Sequence, residues 1–181
     1  HEVLMANWFY EGTGVADIPW GESVSSESCT SIVAENSDGT VYTFQIHKAQ
    51  WSDGEPVTAD DIVYSLDRIT EPDAIRARTK ILSSFYDHGT AKAVDSSTVE
   101  VPLKFPAATF LPNLASYYMK MYPRHVGEGF SQDDANLAGG LLGSGPWVLK
   151  EFKPNGYVDY EKNPLYFKPN RPFFDGLRFN I

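Results

Sequence analysis

The segment WSDGEPVTADDIVYSLDRI, residues 51–69, holds the strongest local signals in the chain. Its first residues have the composition of a turn, because Gly54 can adopt a positive φ and Pro56 cannot continue a strand ladder. Thr58 then stands where a helix N-cap belongs, and Asp61 lies three residues on, as the acidic partner of a capping box does. The segment therefore predicts a turn that runs directly into a helix.

The predicted helix is expected to bury one stripe of side chains. Ile62, Leu66 and Ile69 recur at helical spacing, which places them on a single face. Arg68 falls in the last turn, where the helix dipole favours positive charge. The Glu-Pro pair at positions 71 and 72 is expected to end the helix.

The carboxylates of this segment admit two interpretations. A small hydrolase could use Asp53 and Asp61, but that chemistry needs an acid with a strongly perturbed pKa in a pocket. Asp60 and Asp61 lie instead in the first turn of the predicted helix, where the dipole favours negative charge. Turn and cap positions predict exposed carboxylates that serve folding, and this interpretation is favoured over catalysis.

Two β-hairpins are predicted, one before this segment and one near the end of the chain. SIVAENSDGTVYTFQIHK, residues 31–48, has a turn at its Ser-Asp-Gly and alternates Tyr42, Phe44 and Ile46 on one face. GPWVLKEFKPNGYVDYEKNP, residues 145–164, forms a second hairpin about its Pro-Asn-Gly.

The remaining pattern predicts two more helices and two more strands. One helix covers Ala74 to Phe85, and another starts at Pro106 and continues through ASYYMKMYP to residue 123. The side chains expected to be buried on them are Ile75, Ile81, Leu82, Phe85, Phe110, Leu111 and Leu114. One strand alternates Val99, Val101 and Leu103, and the final strand alternates Leu177, Phe179 and Ile181.

Composition narrows the classes of function. Hydrophobic residues make up 42% of the 181 residues and aromatic residues 14%, so the chain can build a sizeable core. A net charge of −9 disfavours a nucleic-acid partner, because phosphate binding needs clustered Lys and Arg. Cys29 is the only cysteine, which excludes an internal disulfide and a thiolate metal site. The four histidines lack ligand-like spacing, and no metal and no cofactor is expected.

The fold class expected from these elements is α/β, in its α+β form. We expect a mixed, mostly antiparallel sheet with hairpins and two to four packed helices. No run approaches the roughly 20 apolar residues that span a bilayer. His1 is not a natural start, and the compartment has to be inferred in another way.

The order of the motifs, more than any one of them, resembles the bacterial extracellular solute-binding proteins of family 5. DGTVYTFQIHKAQWSDGEPVTADDIVYSLDRI, residues 38–69, resembles the signature region of these receptors of ABC importers. The matching residues are Asp38, Gly39, Tyr42, Thr43, Phe44, Trp51, Asp53, Gly54, Pro56, Thr58, Ala59, Asp61, Ser65 and Arg68.

Three later segments resemble the family in the same order. They are DSSTVEVPLKFPAATFLPNLA at 95–115, GSGPWVLKEFKPNGYVDYEKNPLYF at 143–167 and FFDGLRFNI at 173–181. The region before the first hairpin does not keep the family pattern, so the similarity starts near Glu35. Family members are much longer, and residues 1–181 are therefore expected to be a single partial domain, a fragment of the first of two lobes.

The resemblance implies a two-lobed clamp that closes on a solute and then docks on a membrane permease. The expected solute is a peptide, the commonest class in the family, with nickel or an oligosaccharide as the alternative. The implied location is periplasmic or extracellular, with a lipid anchor in the full-length protein as an option. The implied function requires no catalytic residue. Because a fragment lacks its complementary segments, an exposed apolar edge and a homo-oligomer are also expected.

A different class of function stays open beside transport. Similar domains are sometimes fused to a DNA-binding module, which would make this chain the solute-sensing domain of a transcriptional regulator. A winged-helix segment upstream of His1 would indicate regulation, whereas a signal peptide with a lipobox Cys would indicate transport.

Two short segments are the candidate ligand contacts that the resemblance implies. Ser116, Tyr117 and Tyr118 match a family stretch that tends to supply cleft contacts, and tyrosine offers a ring for stacking and a hydroxyl for orientation. Gly143, Ser144 and Gly145 form a tight turn that either presents backbone amides to a ligand or serves the architecture alone.

Overall fold

The computed structural model describes residues 30–72, 79–114, 119, 121–128 and 142–181. Within these ranges it contains seven strands and four helices. The strands form two separate antiparallel sheets, one of four strands and one of three. The expected α+β class with hairpins is confirmed, although the strands divide into two sheets where the sequence suggested one.

The first sheet holds the larger core. It contains β1 (Thr30–Glu35), β2 (Val41–Ile46), β3 (Lys92–Asp95) and β4 (Thr98–Pro102) in the order β1-β2-β4-β3. Alternate side chains of β2 and β4 are buried, namely Tyr42, Phe44, Ile46, Val99 and Val101, as the period-2 pattern predicts. The β1–β2 hairpin is therefore confirmed with the predicted inward face.

The helix α1 (Ala59–Thr70) packs against this sheet and contacts β3 and β4. Ile62 and Leu66 are fully buried and Ile69 is partly buried, so the predicted apolar stripe is confirmed. Glu71 is the C-cap residue, which confirms the predicted end of the helix.

The structure describes three other helical segments, of which the last was not predicted from the sequence. They are α2 (Thr79–Ser83), α3 (Phe110–Leu114) and α4 (Arg124–Gly127). The predicted start of a helix at Pro106 is wrong, because the helical turn begins at Phe110, and the predicted continuation is wrong at Met119 and at 121–123, which are not helical. The proposed helical residues 74–78 lie outside the described part of the chain.

The second sheet contains β5 (Trp147–Lys153), β6 (Tyr157–Lys162) and β7 (Gly176–Asn180) in chain order. Its hairpin turns at Asn155, whose φ of 57° is the left-handed conformation that asparagine tolerates. Trp147 and Tyr160 form a small buried cluster there, covered in part by Tyr122. Among the described helices, none is both long and apolar enough to cross a membrane.

Candidate functional site

The turn after Trp51 is fixed to the start of α1 by one carboxylate. Gly54 has a φ of 98°, as the turn prediction required, and Trp51 is fully buried. The Asp61 Oδ2 atom accepts hydrogen bonds from Trp51 Nε1 (3.2 Å), Thr58 N (2.8 Å) and Thr58 Oγ1 (3.0 Å). Its Oδ1 atom accepts the backbone N–H of Arg124 at 2.7 Å, a residue 63 positions later. Asp61 therefore joins the turn, the helix start and α4.

The predicted structural role of the acids agrees with these contacts, but the predicted exposure is wrong for Asp61. Its exposed fraction is only 4%, since Trp51 and the 124 backbone close over it. Asp60 is exposed and lies 3.6 Å from the Arg124 guanidinium. Asp53 accepts the Glu55 N–H at 3.1 Å and forms a 2.7 Å contact with Nε2 of His125.

The turn at Gly143, Ser144 and Gly145 is buried and is held from two sides. The Ser52 N–H donates to the Gly143 carbonyl at 2.9 Å, and the Gly143 N–H donates to the Ser52 hydroxyl at 3.4 Å. On the other side, Nδ2 of Asn163 donates to the Gly145 carbonyl at 2.8 Å. These contacts connect the turn to both the Trp51 segment and the end of β6.

Ser144 differs from its neighbours in this turn. Its exposed fraction is 3%, yet its hydroxyl forms no hydrogen bond with any residue that the structure describes. Buried polar groups are normally paired, so a hydroxyl of this kind needs a partner from outside the described protein atoms, such as a water molecule or a ligand. The turn therefore combines an architectural role with one unsatisfied polar group.

The other predicted ligand contacts, Ser116, Tyr117 and Tyr118, lie outside the described residues. The chain soon after them is anchored on α1. The Ser65 hydroxyl accepts the Tyr122 N–H at 2.7 Å and donates to the Asp61 carbonyl at 2.6 Å. Together with the Asp61–Arg124 bond, this fixes residues 122–124 against the helix.

A cavity of about 930 Å³ opens beside the first sheet. Its walls come from four stretches, which are residues 45–50, 56–58, 96–97 and 164–167. The sequence did not reveal it, because no single segment carries its pattern. No group of three or more potential metal ligands occurs among the described residues.

Relatives of the chain are found by sequence. A family model described as bacterial extracellular solute-binding proteins, family 5 Middle, matches residues 23–181. The periplasmic oligopeptide-binding protein OppA of Escherichia coli strain K12 is 30% identical over 148 residues, which cover 74% of this chain and 27% of that protein. The chain therefore spans about a quarter of the length of this relative.

Solved structures show the same fold. OppA of Listeria monocytogenes bound to peptide superimposes with a TM-score of 0.80 at 23% identity, covering 99% of this chain and 37% of that one. NikZ of Campylobacter jejuni in complex with Ni(L-His) gives a TM-score of 0.76 at 19% identity, covering 99% and 34%. At these identities the similarity concerns the fold alone.

Proposed function

Because the chain belongs to the bacterial extracellular solute-binding proteins of family 5, we propose that it is part of a receptor that captures peptides for an ABC importer. The observation that carries the proposal is the family match over residues 23–181. The peptide class is supported by the 30% identity to an oligopeptide-binding protein.

In this proposal the chain contributes part of the first lobe, residues 1–181 forming one partial domain. The solute would lie in a cleft between two lobes, and closure would shield its polar groups from water while the protein replaces their hydrogen bonds. A membrane permease would then receive the closed receptor. The proposed location is periplasmic or extracellular, with a lipid anchor as a feature of the full-length protein.

Binding of this kind forms and breaks no covalent bond. It needs a shaped surface, a few oriented polar groups and a hinge, and the buried acid at position 61 would act in it only by shaping the lobe. The four hydrogen bonds to Asp61 use both of its oxygens, which is the pattern of a structural carboxylate.

The class of solute can be tested by titration calorimetry on the full-length receptor that contains this chain. Short peptides of two to five residues, the nickel–histidine complex and an oligosaccharide serve as the three alternative ligands. We expect heat and a saturable binding curve with peptides alone. Saturable binding of nickel–histidine or oligosaccharide in the absence of peptide binding would contradict the proposal.

We further propose that Ser144, together with Gly143 and Gly145, faces the solute, and that one of Tyr117 and Tyr118 does so beside Ser116. The support for the turn is the buried Ser144 hydroxyl, which has no described partner. The substitution S144A in the full-length receptor should weaken peptide binding about tenfold, the order expected for one lost hydrogen bond in a dry site. The variant S84A, at an exposed position after α2, is the matched control.

The tyrosines are tested in the same way by Y117A and Y118A. Loss of affinity in one of the two variants is the expected result, because stacking of an aromatic ring contributes to holding a peptide. Unchanged affinity in S144A and in both tyrosine variants would remove these residues from the site and leave the family assignment intact.

A further inference from the structure

The cavity beside the first sheet has the size of a ligand site. Its volume of about 930 Å³ falls within the range of roughly 300 to 1,000 Å³ that small-molecule sites occupy. Three of its lining side chains are buried and apolar, namely Ile46, Ala49 and Val57. Tyr166 and Phe167 line it as well, with their ring centroids 5.0 Å apart in an edge-to-face arrangement. These residues offer an apolar ligand both a floor and an aromatic wall.

The charges around this cavity differ from those of the chain as a whole. The chain carries 24 Asp and Glu against 15 Lys and Arg. Even so, none of the described residues that line the cavity is acidic, and the lining includes Lys48 and His47. A lining with a cation and without a carboxylate favours an anionic ligand in a protein that otherwise repels one.

The carboxylate in the nearest turn keeps its charge but is bound within that turn. Asp95 lies next to the lining serines, but its carboxylate accepts the Ser97 N–H at 2.7 Å, the Ser97 hydroxyl at 3.0 Å and the Thr98 hydroxyl at 2.8 Å. These bonds hold the pKa of Asp95 below its ordinary value, and its oxygens are occupied within the turn. Asp95 is therefore committed to the turn and is not available as a partner for Lys48.

The two glutamine side chains of the lining have hydrogen-bond partners, whereas its lysine has no ion-pair partner among the described residues. The Gln45 Nε2 atom donates to the Ser97 carbonyl at 3.0 Å, and the Gln50 Nε2 atom donates to the Gly54 carbonyl at 2.9 Å. The exposed ammonium group of Lys48 has no ion-pair partner among the residues that the structure describes. Lys48 is thus a charged donor that remains available at the edge of a largely apolar cavity.

We propose that this cavity binds a small carboxylate with an apolar or aromatic body. The carboxylate pairs with the Lys48 ammonium group, and the body lies on Ile46, Ala49 and Val57 against the rings of Tyr166 and Phe167. The site is separate from the turn at Gly143 to Gly145, and the proposal does not depend on what the complete receptor transports.

The test compares two probes that share an aromatic body and differ at one group, a carboxylate or a neutral carboxamide. N-acetyl-phenylalanine carries a ring and a free carboxylate, whereas N-acetyl-phenylalaninamide carries the same ring without the charge. Each is titrated into the 181-residue chain while amide chemical shifts are followed by NMR. We expect millimolar binding of the acid, with shifts at residues 45–50 and 165–167, and about fivefold weaker binding of the amide, the upper range for one exposed ion pair.

The variants K48Q and K80Q separate this site from general attraction to lysines. Both positions are exposed, and only Lys48 lines the cavity, so both variants should fold. We expect K48Q to lose about fivefold in affinity for the acid and K80Q to retain the parent value. Absence of binding by the acid, equal binding of acid and amide, or an unchanged affinity in K48Q would each overturn the proposal.

The carboxylate could belong to a free acid or to the C-terminus of a peptide. Ala-Ala-Phe and its C-terminal amide distinguish these sources. If the cavity admits a longer chain, the tripeptide acid competes with N-acetyl-phenylalanine. If the cavity takes only small free acids, the tripeptide does not compete. If none of the acids binds this chain while the complete receptor binds peptides, the cavity proposal is overturned and the proposed function stands.

Discussion

Asp61 shows how a local motif acquires a tertiary role. Its contact with the Thr58 N–H follows from three-residue spacing and was predictable from the sequence. Its contacts with the Trp51 indole and the Arg124 amide are not local, and they bury the carboxylate. The exposure of a capping acid cannot be predicted from its helix alone, because distant segments decide it.

The substitution D61N tests this role. An asparagine keeps one oxygen and introduces an N–H₂ group, which would face either the three donors at Oδ2 or the Arg124 amide. We expect the free energy of unfolding to fall by about 2–3 kcal/mol, as when a buried donor loses a charged acceptor. Urea denaturation measures the change, and D60N, at an exposed neighbouring position, should lie within about 0.5 kcal/mol of the parent. Equal stability of D61N and parent would show that the buried charge is dispensable.

Tyr86 gives the chain a dependence on alkaline pH. Burial raises its pKa to about 12, and the Asp67 carboxylate, which accepts its hydroxyl at 2.7 Å, adds to this rise. The folded state therefore holds the phenolic proton more tightly than the unfolded state, whose ordinary value is 10.0. The stabilisation is complete below pH 10 and is lost as the pH rises from about 10 to about 12.

Urea titrations between pH 9 and pH 12 on the parent and on Y86F check this. The free energy of unfolding of the parent should fall with pH more steeply than that of Y86F over this interval. The difference between the two slopes should correspond to at most about one proton per molecule. Y157F removes a half-buried tyrosine on β6 whose pKa a hydrogen bond to Glu151 also raises, and it shows how much of the slope a second tyrosine accounts for. Parallel curves for the parent and Y86F would be inconsistent with a raised pKa at Tyr86.

At the scale of elements, the hairpins and α1 could be predicted because their signals are periodic or tied to turn residues. The strand β3 was not predicted, since all four of its side chains are exposed and so it carries no alternating apolar pattern. The start of α3 could not be derived either, because its first turn at Phe110 depends on packing of that buried ring.

The Ser65 hydroxyl of α1 forms the hydrogen bonds that hold the backbone of residue 122. The variant S65A leaves the partly buried Tyr122 N–H without its acceptor, and we expect a loss of about 1–2 kcal/mol in the free energy of unfolding. The control variant S84A removes an exposed hydrogen bond from the Ser84 hydroxyl to the Ile81 carbonyl. Its free energy of unfolding should stay within about 0.5 kcal/mol of the parent value. Thermal or urea unfolding monitored by circular dichroism provides the measurement, and a neutral S65A would refute the role of this bond.

At the scale of the whole molecule, the two faces of the second sheet differ. On one face, Arg178 and Asp159 form an ion pair. On the other, the paired residues Phe152, Val158 and Phe179 form a row across the three strands, and Phe152 and Phe179 are 57% and 50% exposed. This open row has the composition of a core face, which agrees with the expectation of an exposed apolar surface.

We expect the row to promote association of this chain with itself. Light scattering over a range of concentrations should reveal dimers or larger species in the parent. The double variant F152S/F179S should weaken association by about tenfold or more, because it removes apolar area from the contact. Y157S, on the charged face, should associate like the parent, and a parent that is monomeric at every concentration would contradict the expectation.

The strand order of the first sheet has a consequence for biosynthesis. β2 pairs with β4 from Val41 opposite Pro102 to Gln45 opposite Thr98, and α1 lies between them in the chain. While the ribosome is still making the residues before Thr98, β2 has only β1 beside it, and its second edge stays open to other nascent chains. Translation that slows between Thr70 and Thr98 therefore lengthens the time during which a chaperone has to protect this edge.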